Sequence, residues 1–318
     1  MITFLVSAIS IATVLLFGCV GEIITEKAGH LNLGIPGIMC MGTAGGCLGT
    51  SLYMGIANGN PSWLLLVLFS LVFSVIFAAA TGAIYALLTV SLRCNQNITG
   101  LAITIFGAGA TDFLMSFVDR THFDAAGKLI SSPLPFAKNL GWFGEIFLGH
   151  GVFVYIAIAV ALACTFVLNK TRVGLHLRAV GESPATADAA GINVTAYKYV
   201  AILVGSGIAG LGGFYYIMDY IKGSWENASI IEAFGWLAIA LVIFVLWKPH
   251  LGILGALLFG GCYIVAFVLA NVTSTQKEII KMLPYVITIV VLIVTSIFDN
   301  KENQPPASLG LPYFREDR

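Results

Sequence analysis

Long apolar runs alternate with short polar stretches along the whole 318-residue chain. The runs fall at 2–20, 36–57, 62–91, 98–118, 150–169, 198–218, 235–248, 251–271 and 282–298. None shows the apolar–polar alternation of a membrane strand. Each therefore predicts a helix, which satisfies its own backbone hydrogen bonds in lipid. The run 62–91 would be about 45 Å long as one helix at 1.5 Å per residue, so it must tilt strongly or break. The run 235–248 is short, meets Lys248-Pro249-His250 at once, and reads as a partial or re-entrant span. The predicted fold is an all-α integral membrane domain over 1–299 with about 8–10 transmembrane helices, followed by a polar tail at 300–318.

Composition supports that class. The chain is 58% hydrophobic and only 10% charged, against about 25% charged in a typical soluble domain. Lys27 and Arg93 bracket two runs without a formal charge between them, broken at Asn58-Gly59-Asn60-Pro61. A single soluble core cannot hide that much apolar surface, so lipid is the expected solvent. The first run lacks a basic leader and reads as a membrane helix rather than a cleaved signal. Net charge is zero, so no nucleic-acid partner is suggested. The six cysteines sit in or beside the runs, without metal-ligand or disulfide-framework spacing, and read as buried thiols.

Charge predicts orientation. With the N-terminus outside and every run crossing once, the inner side holds Lys27, Arg93, Lys170, Arg172, Arg178, Lys198, Lys248, Lys301, Arg315 and Arg318. The outer side holds Arg120, Lys128, Lys138, Lys222, Lys277 and Lys281. That bias follows the positive-inside rule and places both the 170–198 connection and the tail in the cytoplasm. Small residues at four-residue spacing (Gly205, Ala209 and Gly213; Gly42 and Gly46; Gly45 and Gly49) predict closely packed helices, either within the chain or against a partner subunit.

The connection 170–198 is a polar island with a short helix inside it. Ser183 suits the N-cap, Pro184 the first helical position, and Gly191 a left-handed C-terminal stop. About two turns remain, roughly 10 Å, far too short to span a bilayer. A capped helix in a basic loop at the membrane surface suits contact with another protein.

Two further polar clusters stand out. Gly29, Gly34, Pro36 and Gly37 predict non-helical backbone around Asn32, which either satisfies that backbone or lines a pathway. Asn95 and Gln96 open the fourth run, and Asp112 is the carboxylate this reading places within a span. An intramembrane acid is a functional candidate, although a site near the outer end also allows an interfacial position. Missing motifs are equally informative. The chain has no Gly-x-x-x-x-Gly-Lys-Ser/Thr phosphate loop, no metal-ligand spacing among its histidines and no Gly-x-Ser-x-Gly element. No enzyme and no bound cofactor are expected.

Three stretches together resemble the permease family of bacterial ABC importers that has ribose-type and nucleoside-type members. They are Glu26 to Gly37, Asn95 to Leu101, and Leu177 to Glu182 running on through Asp188 to Asn193. The tail Pro305 to Tyr313 and the run Trp236 to Pro249 resemble the nucleoside branch, in particular its shorter permease. The likeness departs at Pro36, where family members often carry Glu.

The resemblance implies a type II ABC importer permease that carries nucleosides across the bacterial cytoplasmic membrane. Simple sugars such as ribose are the alternative cargo, and an ion-coupled secondary transporter is the rival mechanism. It implies a cytoplasmic ATP-binding subunit that uses ATP and Mg, a second and longer permease in a heterodimer, and a lipid-anchored binding protein outside. It also implies a coupling element at Glu182, Ser183, Pro184, Ala185, Thr186, Asp188 and Gly191, flanked by Arg172 and Arg178. Asn32, Asn95, Gln96 and Asp112 are the pathway candidates.

Overall fold

The computed structural model describes residues 2–57, 60–133, 140–268, 273–298 and 304–314. Asn58 and Gly59 of the expected break, Lys138, Lys301, Arg315 and Arg318 lie outside the described residues.

Every described element is helical. In chain order they are α1 (Ile2–Lys27), α2 (Ile35–Ile56), α3 (Trp63–Ala86), α4 (Gln96–Phe117), α5 (Phe123–Ile130), α6 (Gly141–Phe147) and α7 (Val152–Lys170). Then come α8 (Arg172–Glu182), α9 (Pro184–Ala189), α10 (Val194–Tyr215), α11 (Ser229–Phe244), α12 (Pro249–Val268), α13 (Ser274–Lys281) and α14 (Leu283–Phe298). The long run at 62–91 stays helical without a break from Trp63 to Ser91. α3 continues through a π-helical turn at Leu87–Ser91, and α10 does the same at Tyr216–Tyr220.

Six helices are individually long and apolar enough to cross a membrane: α1, α3, α4, α7, α10 and α12. Hydrogen bonds at one face show that the chain returns to the side it left after α3, after α11 and after α14. Leu31, just after α1, donates its N–H to Gln96 Oε1 at the start of α4 at 2.8 Å. Both ends of the α2–α3 pair therefore lie on one face, so α2 must cross as α3 does. Trp247, just after α11, bonds Glu26 near the end of α1. Ser308 of the tail donates its N–H to Gly181 O at 3.1 Å, returning the chain to that same face after α14. The segment 235–248 belongs to a 16-residue helix that begins six residues earlier, at Ser229, and is shorter than the six candidate spans.

α1 runs through the middle, packed by α10, α12, α11 and α7. Every residue from Ile11 to Glu26 is buried, as expected of a helix covered on all sides. Small residues make this possible. A Cβ on Gly21 would collide with the carbonyl of Gly205 across α1 and α10, and one on Gly42 would collide with Gly210 across α2 and α10. The glycine spacing thus serves packing inside this chain. The outer faces carry exposed apolar side chains, among them Ile105, Phe113 and Phe117 on α4 and Ile289 and Ile293 on α14.

Two expectations need correction. Asp112 is not alone as a carboxylate in a membrane helix, because α1 continues past Val20 to include Glu22 and Glu26, and α10 continues to Asp219. Protein rather than lipid surrounds these acids, so the helices outlast their apolar runs. The polar island also holds two helices rather than one. α8 precedes the short helix, capped by Thr171 Oγ1 accepting from the Gly174 N–H at 3.2 Å. It buries Gly174, Leu177, Val180 and Gly181, one face at helical spacing.

Candidate coupling site

The short helix α9 forms as its sequence dictates. Ser183 Oγ accepts from the Thr186 N–H at 3.4 Å and pairs with Thr186 Oγ1 at 2.8 Å. Pro184 occupies the first helical position. At the other end Gly191 takes φ +83°, while Gly191 N–H bonds Asp188 O at 2.9 Å and Ile192 N–H bonds Ala187 O at 3.0 Å. That pair of bonds is the Schellman closure, which requires the left-handed residue that glycine supplies without strain.

α9 buries one side and presents the other. Ala187 packs with Val180 of α8 and Val194 of α10, joined by Ile192 and Tyr313. Ala185, Thr186 and Ala189 face outward and are small. A compact, well-capped ridge of this kind fits into a cleft on another protein without long side chains to order. Arg172 and Glu182 are exposed beside it. Arg178 is not. It is half-buried in a 340 Å³ cavity shared with Lys27, Glu182, Trp247 and Lys248, and its Nε has no hydrogen-bond partner among the described residues.

The three resemblance-bearing stretches converge beneath α9. Gly181 sits so close to the end of α1 that a Cβ there would strike Lys27 O. The loop after α1 is held from several sides: Tyr85 Oη donates to Leu31 O at 2.7 Å, and Thr104 Oγ1 donates to Leu33 O at 2.8 Å. Gln96 ties this loop to the tail, accepting from Leu31 through Oε1 and donating through Nε2 to Leu311 O at 3.5 Å. Asn95 caps α4, its Oδ1 accepting from Ile98 N–H at 3.1 Å. Asn32 is fully buried, with Oδ1 accepting from Gly34 N–H at 2.9 Å and its own N–H donating to Glu22 Oε1 at 3.0 Å. Asn32, Asn95 and Gln96 are therefore brought together at the tail-side face.

Asp112 is not part of this group. It lies 16 residues into the run of α4 from Gln96, about 24 Å away along the axis. Its Oδ1 accepts from the Ala228 N–H at 2.9 Å, bracing the start of α11 at the opposite face.

Three features escaped the sequence reading. The first is the tail, which straps the site: Ser308 bonds Gly181, Gly310 N–H reaches Gly29 O at 3.4 Å, and Tyr313 Oη donates to Asp188 Oδ2 at 3.0 Å. The second is the buried acid pair Glu22 and Glu26, one turn apart, with the Trp247 indole N–H donating to Glu26 Oε2. Leu246 and Trp247 both take φ +55°, a strained geometry for non-glycine residues that this bond helps to hold. The i, i+4 spacing of the two glutamates was legible, but only helix extension past Val20 gives it meaning. The third is the buried histidine of the post-α1 loop. His30 is pushed down to about 3, first by burial and next by the Lys198 charge, so its ring is neutral. Among the described residues no group of three or more His, Cys, Asp or Glu is placed to hold a metal.

Comparison with known proteins agrees with this architecture. The chain is 30% identical to the nucleoside ABC transporter permease protein NupC of Lactococcus lactis, over 96% of this chain and 94% of that one. It is 30% identical to the guanosine ABC transporter permease protein NupQ of Bacillus subtilis, over 96% and 95%. It is 34% identical to the putative glucose ABC transporter permease protein TsgC13 of Haloferax volcanii, over 80% and 74%. The first two organisms each supply a second, more distant match, with less of its own length covered: NupP of B. subtilis at 26% identity, 74% covered, and NupB of L. lactis at 25%, 60% covered. No solved structure matches. These relatives are transport proteins and not enzymes, and the apolar helices make this chain a multi-pass protein of the cytoplasmic membrane. With a family match running from residue 4 to residue 292, the chain belongs to the family of the branched-chain amino acid transport system permease component.

Proposed function

We propose that this chain is one membrane-spanning subunit of an ATP-driven importer for nucleosides. The observation that carries the reading is the near full-length likeness to two nucleoside-type permeases, joined to a capped surface helix built for docking. The chain performs no chemistry. An ATP-binding subunit hydrolyses ATP with Mg and presses on α9, and the strapped face passes that movement to α1, α4 and α10. Alternation between outward and inward access then follows as a population shift.

The tail face is read as cytoplasmic, from the positive-inside bias. Residues 1–299 make the permease domain and 300–318 its cytoplasmic tail. A second, longer permease completes the pathway, a reading supported by NupP and NupB, of which the match covers only 74% and 60%. A binding protein delivers cargo to the opposite face. Glu182 to Gly191 carry coupling, with Arg172 the outward cation and Arg178 set back. Asn32, Asn95, Gln96 and Asp112 remain the candidates nearest a pathway, the first three also holding backbone.

The deciding experiment is uptake of labelled guanosine, ribose and glucose in cells with and without this gene, its partner genes intact. Loss of guanosine uptake alone supports the proposal. Loss of sugar uptake alone moves the cargo to sugars, the second reading that the TsgC13 likeness favours.

A further inference from the structure

A second cavity of about 410 Å³ opens at the tail face beside α9. Its lining includes His30, Arg93, Asn193, Thr195, Lys198 and Tyr313. Lys198 is only 2% exposed. Its ammonium makes no hydrogen bond or ion pair among the described residues, and its one ring contact is Tyr313, with the centroid 6.0 Å away. His30 is 1% exposed, and, a contact to the Thr89 backbone apart, its ring nitrogens have no hydrogen-bond partner among the described residues. Burying an ammonium without a counter-charge is costly, so one at a cavity wall with no such partner among the described residues favours an anion beside it.

The surroundings fit that anion. Arg93 sits at the cavity with φ +57° and its guanidinium 4.8 Å over the Phe314 ring, a face-on contact that does not use its N–H edges. The cavity also meets the start of α10. Asn193 caps the Ala196 N–H at 3.0 Å, so the orphan N–H groups of that helix start belong to Val194 and Thr195, and both residues line the cavity. A 22-residue helix presents its positive end there. The one carboxylate in the lining is Asp188, already held by Tyr313. Two fixed cations, an uncharged imidazole able to donate and a helix N-terminus therefore face one engaged acid.

We propose that this cavity is a binding site for a phosphomonoester. The ester carries close to two negative charges and three acceptor oxygens at neutral pH, matching Arg93, Lys198 and the α10 start together. A volume near 410 Å³ lies in the range of about 300–1,000 Å³ for small-molecule sites, so there is room for an organic group besides the phosphate. If the nucleoside reading holds, and this clause rests on it, a nucleoside monophosphate is the fitting member of the class. Bound there, it bridges the end of α3, the post-α1 loop and α10, and ties down the elements through which α9 must act.

The test is binding to the assembled transporter in nanodiscs, its ATPase sites filled with a non-hydrolysable ATP analogue. Guanosine monophosphate, glucose 6-phosphate, inorganic phosphate and guanosine are each titrated and followed by calorimetry. At least one phosphomonoester binds, more tightly than inorganic phosphate, while guanosine does not compete. Arg93→Gln, an exposed position that folding should tolerate, and Lys198→Gln each weaken binding roughly tenfold or more. No phosphomonoester binding, or binding untouched by both substitutions, overturns the site. Binding seen only in neutral-lipid discs and abolished by phosphatidylglycerol assigns the cavity to a lipid headgroup and overturns the free ester. Binding seen only in a chain ending at Phe314 shows that the tail's own acids fill it, and overturns it equally. Glucose 6-phosphate binding without guanosine monophosphate upholds the site, and the uptake assay above tests the cargo separately.

Discussion

Tyr313 donates its hydroxyl hydrogen to Asp188 Oδ2 at 3.0 Å, closing a link between positions 125 residues apart. Asp188 lies in α9 and Tyr313 in the tail, so the surface helix is fastened to a strap that also grips Gly181, Gly29 and Gln96. If α9 carries coupling as proposed, its movement is shared with the ends of α1 and α4 rather than absorbed in a loose loop.

Removing that link should loosen coupling. Tyr313→Phe keeps the ring and deletes one hydrogen bond to a charged group, worth about 1.5–3 kcal/mol at most. The expected outcome is a lower ratio of nucleoside taken up to ATP hydrolysed in reconstituted transporter, with assembly intact. An unchanged ratio means the tail is a bystander.

Ser183 ends α8 and caps α9, so its hydroxyl fixes the angle between them. Ser183→Ala should cost about 1 kcal/mol of local helix stability and reduce ATP-driven uptake, whereas Ser183→Asn should retain most of both. Equal uptake in all three chains refutes the role given to the cap.

Trp247 holds Glu26 inside the bundle, and both are buried. Trp247→Phe leaves a buried carboxyl oxygen without its donor and should destabilise the chain by about 1–3 kcal/mol. Glu26→Gln, which still offers an acceptor, should lose less. Thermal unfolding in detergent ranks the two, and the reverse order contradicts this account.

His30 sets a pH dependence with a definite sign. Its folded value is lowered from 6.5 to about 3 by burial, with Lys198 adding to it. The folded chain therefore keeps the ring neutral while the unfolded chain protonates. Stability attached to this residue is fully present above pH 6.5 and is lost as pH falls from there toward 3, by up to about 1.4 kcal/mol per unit. Melting curves between pH 7.5 and 5 in phosphate-free buffer should show this decline, and His30→Gln should flatten it. A slope that survives the substitution belongs to other groups.

Much of this molecule is legible one residue after another. The apolar runs locate the long helices, six of them able to cross a membrane among the described residues, because a membrane helix answers to the composition of its own segment. Ser183, Pro184 and Gly191 announce the ends of α9 because caps are local chemistry, and the structure places each where its backbone geometry requires it. The amphipathic face of α8 was also written locally, in Gly174, Leu177 and Val180, but was hidden by the low hydrophobicity of that stretch.

What depended on distant parts of the chain could not be read that way. Glu22 and Glu26 find partners inside the bundle because Asn32 and Trp247 reach them, the latter across 221 positions. Asn32, Asn95 and Gln96 gather at one face only because α2 and α3 return the chain to where it left. The buried Lys198, the neutral His30 and the strap through Tyr313 arise the same way. By itself the sequence determined the helices and their caps, which follow from neighbours within a few residues. Tertiary structure alone decided which polar groups meet, because that rests on helices returning from opposite sides of the bundle.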